Sequence, residues 1–162
     1  MVDIKDIADI IILYCQLKGF KINPIKLQKL LYFVQVWHIV EFEKDPLFKE
    51  LPEAWVNGPV YRIVYDMYKE KFYRNENFKA DADEVELHEQ LNERISKSNL
   101  TAESQKLLFD VLDVCGSVSE IDLVFATHNA DPWINARKGL EPFERCNNVI
   151  SVDDMYNYYS KK

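Results

Sequence analysis

A mostly α-helical domain, a bundle packed around one buried central helix with a small β element, is the fold class this sequence predicts. Three observations carry that reading. The stretch from Asn23 to Val40 places apolar letters on nearly every side of a helix, broken mainly by Gln28, Gln35 and His38. Such a helix belongs inside a bundle and not on its rim. Most other segments keep apolar residues at three- and four-residue spacing, opened by a capping letter and several times ended by glycine. Prolines crowd instead into "DPLFKELPEAWVNGPV", where the apolar pieces are short and suit loops with one or two strands.

The elements follow in order. Ile4, Ile7, Ala8, Ile11, Cys15 and Lys18 keep helical spacing, with Asp3 as cap and Gly19 as stop. In the second helix Asn23 caps and Pro24 takes the first turn, where a missing N–H costs nothing. After the proline-rich stretch, Gly58 supplies an unusual φ and Pro59 opens a third helix over about residues 59–72. That helix carries two stripes: Val60, Ile63, Val64 and Met67 form one, and Tyr61, Tyr65, Tyr68 and Phe72 the other. The tyrosine stripe reads as a core edge or as a contact surface. Trp55, just before the turn, is expected to be buried.

Residues 74–98 hold seven acids against four bases, and Leu87, Leu91 and Ile95 allow a short, loosely docked amphipathic helix there. Thr101 caps a helix to about Cys115, which Gly116 ends. Ser117 with Glu120 suggests a capping box before "IDLVFATH". Asp131 caps and Pro132 starts one more short turn, ended by Gly139. A short strand fits near Val149 and Ile150, and Ser151 with Asp154 opens a terminal helix to about Ser160. With no internal repeat, residues 1–162 read as a single domain in which 74–98 is the variable part.

The totals bound the function classes. With 48% apolar and 29% charged residues the chain reads as soluble and globular. A net charge of −7 repels phosphate backbones at long range, which disfavours generic nucleic-acid binding and suits either a basic protein partner or simple solubility. Cys15, Cys115 and Cys146 are odd in number and widely spaced, as reduced thiols in a cytosol would be. The acidic opening "MVDIKDIADIII" lacks the marks of a signal peptide, and the longest apolar run is too short to span a bilayer. The expected location is the cytoplasm.

Candidate chemistry gathers in "ATHNADPWINARKG". Trp133 and Arg137, four apart, share one face, and a guanidinium stacked on an indole is common among binding anchors. The same residues equally serve to plug the core and fasten the turn, with His128 as a third fastener. A general base at His128 would need an orienting partner and a nucleophile, and no catalytic motif accompanies it. His38, His88 and His128 lie far apart without helical pairing, so no metal ligation and no cofactor are expected. His38 is expected as a hydrogen-bonded core or cleft histidine. Lys26 and Lys29 flank Gln28 near the start of the second helix. Helices one and two superficially suggest a helix-turn-helix, yet the second is apolar where a DNA reader needs polar side chains.

Three blocks in sequential order resemble the Panacea domain family: "NPIKLQKLLYFVQVWHI", "EAWVNGPVYRIVYDMY", and the stretch carrying Thr127, His128, Pro132, Trp133, Ala136 and Arg137. The family includes SocA-like antitoxins, one of which delivers its toxin to a protease, and phage-associated GepA-like proteins. The resemblance implies neutralisation of a protein toxin by direct contact, without catalysis; several such toxins block translation. The alternative it leaves is a proteolytic adaptor or phage-associated regulatory module that binds a host protein without a cognate toxin. The candidate partner-binding residues are Lys26, Gln28, Lys29, Tyr61, Tyr65, His128, Trp133 and Arg137. Trp133 and Arg137 are expected to anchor the partner without holding the fold.

Overall fold

A computed structural model describes all residues 1–162. It contains nine helices and one two-stranded hairpin. The second helix, α2 (Pro24–Glu41), is the axis: 14 of its 18 residues are buried, so it has no solvent face to speak of. Asn23 caps it by accepting from the Lys26 N–H. Around it stand α1 (Ile4–Lys18), α6 (Ala102–Cys115), α7 (Glu120–His128) and α9 (Val152–Tyr159). One cluster of 32 buried residues forms the core, drawn from α1, α2 and the faces turned toward them.

α1 runs as its letters require, from the Asp3 cap to Gly19 in the left-handed region. Its outer face receives α5 (Glu84–Lys97), where Leu87 and Leu91 are buried and Arg94 reaches both Asp6 and Asp9. The amphipathic helix expected in the charged segment is therefore present, seated on α1 by two leucines and by Arg94 beside a carboxylate pair. Tyr14 stacks on Phe109 and donates to Asp113, which ties α1 to α6 on its other side.

The proline-rich stretch forms β1 (Glu53–Trp55) and β2 (Gly58–Val60), paired antiparallel with Trp55 opposite Gly58. The segment near Val149 adds a bridge to Glu53, with Ala54 N–H donating to Asn148 and Ile150 N–H to Pro52. Pro59 does not open a helix, because it lies inside β2. The third helix begins at Arg62, and Tyr68 interrupts it, giving α3 (Arg62–Met67) and α4 (Lys69–Arg74). Both stripes are split: Val60, Tyr61, Val64 and Tyr65 are buried, Tyr68 and Phe72 are half-buried, and Ile63 and Met67 are exposed.

Two capping assignments shift. Ser119, not Ser117, caps α7 by accepting from the Asp122 N–H. Ala130 precedes α8 (Asp131–Ala136), so Asp131 is its first residue and not its cap. Gly116 follows α6 with ordinary right-handed φ, so conformational freedom is not its reason. A Cβ there would lie 2.5 Å from the Phe20 ring and from the Leu112 carbonyl. Ser151 caps α9 as expected. No helix is long and apolar enough to cross a membrane.

Candidate functional site

The polar letters of α2 point into the protein, and each grips main chain. Gln28 treats Tyr61 as a strand neighbour would: its Oε1 accepts from the Tyr61 N–H at 2.8 Å and its Nε2 donates to the Tyr61 carbonyl at 3.2 Å. Gln35, two turns on, does the same for the preceding loop, accepting from Leu47 N–H and donating to the Phe48 carbonyl, both at 2.7 Å. Lys29 Nζ donates to the Pro59 carbonyl at 3.1 Å, and Lys26 Nζ to the Gly116 carbonyl. His38 closes the set, pairing through Nδ1 with the Asp45 carbonyl and through Nε2 with Ser104 Oγ. Buried amides are costly unless partnered, so these side chains bind irregular backbone to the central helix.

The hairpin is gripped from its other side by α8. Trp133 Nε1 donates to the Trp55 carbonyl at 2.8 Å, and Arg137 Nη1 to the Ala54 carbonyl at 2.9 Å. The far nitrogen of the same guanidinium reaches the Glu144 carbonyl at 2.6 Å, fastening the 141–145 loop as well. The His128 ring stacks on Trp133 with centroids 4.2 Å apart, and the Arg137 guanidinium sits 5.2 Å from the indole centroid. Gly58 lets these layers close: a Cβ on it would stand 2.8 Å from Lys29 Cε and 2.9 Å from Thr127 Oγ1, and its φ is +112°. The result is a short hairpin held between α2 and α8, with Asn57 exposed at its tip.

Three blocks separated by up to a hundred residues in the chain thus meet at one hairpin, and a family comparison accounts for them. Residues 27–134, about two thirds of the chain, match the family described as Antitoxin SocA-like, Panacea domain. The chain belongs to that family. No curated protein and no solved structure matches it. The Panacea match starts one residue after Lys26 and stops three before Arg137, so those two fasteners lie just outside it.

Most of the eight candidate residues are placed where a docked partner does not reach them. Lys26, Gln28, Lys29, Tyr61, Tyr65 and Arg137 are buried; only His128 and Trp133 keep part of their surface. Arg137, expected as an anchor for a partner, is 6% exposed and spends its donors on carbonyls of its own chain. Seven of the eight pack at or beneath the hairpin, while Lys26 serves the turn after α6. Trp55, expected to be buried, is only half so: its face carries the Arg62 guanidinium at 5.3 Å and its edge meets Tyr65.

Electrostatics follow burial. Loss of hydration pushes the Lys29 ammonium down to about 7, opposed weakly by Glu120. Burial also lowers His128, and the Lys29 and Arg137 cations lower it further, against partial opposition from the backbone of Val56 and Asn57. His128 Nε2 has no hydrogen-bond partner, and no carboxylate orients the ring. No group of three or more His, Cys, Asp or Glu side chains is arranged to hold a metal ion.

What sequence reasoning missed is the exposed apolar surface. Six of the twelve exposed large apolar side chains fall between Val114 and Val149. Ile121 and Phe125, four apart on α7, are 74% and 65% exposed, while Leu123 on the opposite face is buried. Ile134 and Phe143 rim a depression of about 500 Å³ beside Trp133 and the hairpin tip, with Phe143 87% exposed. The signal was present in "EIDLVFATH", which is apolar around most of its circumference although the helix lies at the surface.

Proposed function

We propose that this chain is an antitoxin that neutralises a protein toxin by direct binding, without catalysis. The contact surface is the outer face of α7 together with the hairpin tip and the Ile134–Phe143 rim. The observation that carries this is the concentration of exposed apolar side chains on the 114–149 stretch, against a core that is otherwise well covered. Exposed apolar patches on a folded domain mark interaction sites, and two such groups occur here: Ile121 with Phe125 on one helix, and Ile134 with Phe143 around one depression. Membership of the SocA-like family supports a polypeptide as the partner. The net charge of −7 suits a basic toxin, since complementary charge speeds encounter. Trp133, His128 and Arg137 act beneath that surface by holding the hairpin rigid, which spares the ordering cost that a mobile loop would incur on binding.

Co-expression tests the reading. Cells carrying the toxic product of an adjacent open reading frame should grow when this chain is supplied. They should stop growing when Ile121→Ala, Phe125→Ala and Phe143→Ala are combined in it, with the thermal melt of the triple variant unchanged. Full protection by that variant would refute the assigned surface. Failure of every neighbouring product to be neutralised, together with capture of a protease through the same face, would move the assignment to a proteolytic adaptor.

A further inference from the structure

The opposite side of the hairpin carries a second depression, of about 540 Å³, between Trp55–Asn57, α3–α4 and the 145–147 segment. Its lining runs against the balance of the whole chain. The protein has 27 acids to 20 bases, yet this pocket is lined by Lys29, Arg62, Lys69 and Arg145 and by no carboxylate. Like charges gathered without counter-charges cost Coulomb energy. Only Arg62 has an acidic partner: Glu53, behind the pocket wall, takes its guanidinium at 2.9 Å and also accepts from Trp55 Nε1. Lys69 and Arg145, both exposed, make no salt bridge, whereas Lys29 is buried and already donates to the Pro59 carbonyl.

The rest of the lining is aromatic. Trp55, Tyr65, Phe72 and Tyr73 pack edge to face, and Tyr73 stands 72% exposed with its hydroxyl paired to that of Tyr65 at 2.6 Å. An exposed ring such as that of Tyr73 takes a planar partner, and unpaired cations donate to phosphate oxygens. The volume lies within the range of small-molecule sites of about 300–1,000 Å³. Neither half alone selects a ligand; together they call for one planar ring joined to several negative charges.

We infer that this pocket binds a nucleoside di- or triphosphate, with Lys69 and Arg145 on the phosphates and the ring against Tyr73. The chain's overall negative charge does not oppose this, because salt screens it beyond about 8–10 Å while the pocket cations act in contact. The pocket shares Val56 and Asn57 of the hairpin tip with the depression on the toxin surface, but its cations and aromatic rings lie outside that depression.

Calorimetric titration of the full chain with ATP, GTP, CTP and UTP decides it, with pyrophosphate and adenosine as the two isolated halves. Saturable one-site binding of at least one triphosphate is expected, tighter than either half. The combined Lys69→Ala and Arg145→Ala variant should weaken it by at least about tenfold with an unchanged melt, since each cation gives charge-assisted hydrogen bonds only to the ligand. Tyr73→Ala should weaken the triphosphate while leaving pyrophosphate untouched. Absence of saturation by every nucleotide at millimolar concentration would overturn the inference. So would binding indifferent to the double variant, or pyrophosphate binding as tightly as the triphosphates. A glutamate-rich peptide that saturates the site where nucleotides do not would replace it with a protein ligand.

Discussion

Gln28 and Gln35 sit seven residues apart on one face of α2 and do the work of missing strands, each offering a side-chain amide to a backbone N–H and carbonyl. Gln35→Leu keeps the volume and strands two buried main-chain groups, so it should lower stability by about 2–4 kcal/mol in denaturant titration. Arg137→Ala leaves the Ala54 and Glu144 carbonyls without their donor and should cost a similar amount, about 2–4 kcal/mol; Arg137→Lys recovers only part, because an ammonium cannot fork to both. Lys29 adds a pH signature. Its proton affinity falls from an ordinary 10.5 to about 7 on folding, so between those values the unfolded chain holds a proton that the folded chain releases. Stability from this group therefore rises with pH across that interval. Cys15, pushed up to about 12 by burial, works in the opposite sense above its ordinary value of 9.0. Melting points taken between about pH 7 and 8.5 should accordingly climb in the native chain more than in Lys29→Met. These residues were legible in sequence as a motif but not as fasteners: spacing tells which letters share a face, whereas which carbonyl each meets depends on loops that return from elsewhere.

At the scale of elements the caps carried the most information. Asp3, Asn23, Thr101 and Ser151 mark helix starts as their chemistry requires, because a side-chain oxygen satisfies an otherwise orphaned N–H wherever the helix packs. The cap of α7 stands at Ser119, two residues beyond the Ser117 that the box spacing suggested. Pro59 misled for a related reason: its fixed φ suits a helix start and equally an edge strand, and Lys29 together with Gln28 holds it in the strand. Gly116 shows the converse, a helix-ending glycine kept for space. Gly116→Ala should destabilise by about 1–3 kcal/mol through contact with Phe20 and the Leu112 carbonyl, and Phe20→Ala in the same chain should return part of that loss in thermal melts. The charged 74–98 region carries only a narrow apolar stripe, and the Arg94 link to Asp6 and Asp9 that helps seat it involves residues far off in sequence.

The whole molecule separates two tasks. Its interior spends its most specific letters on holding a hairpin still, and its exterior leaves apolar side chains uncovered on α7 and around the 134–143 rim. The fold class and the buried central helix followed from periodicity, which reports burial directly. The contact surface did not, because a side chain's exposure is a property of the packed whole and "EIDLVFATH" looks like core in isolation. The most direct test is amide hydrogen exchange of the chain alone and with the proposed toxin partner. The account predicts new protection confined to residues 114–149 and the hairpin tip, with α1 and α5 unchanged. Protection confined to the α1–α5 side, or none at saturating toxin, would contradict it.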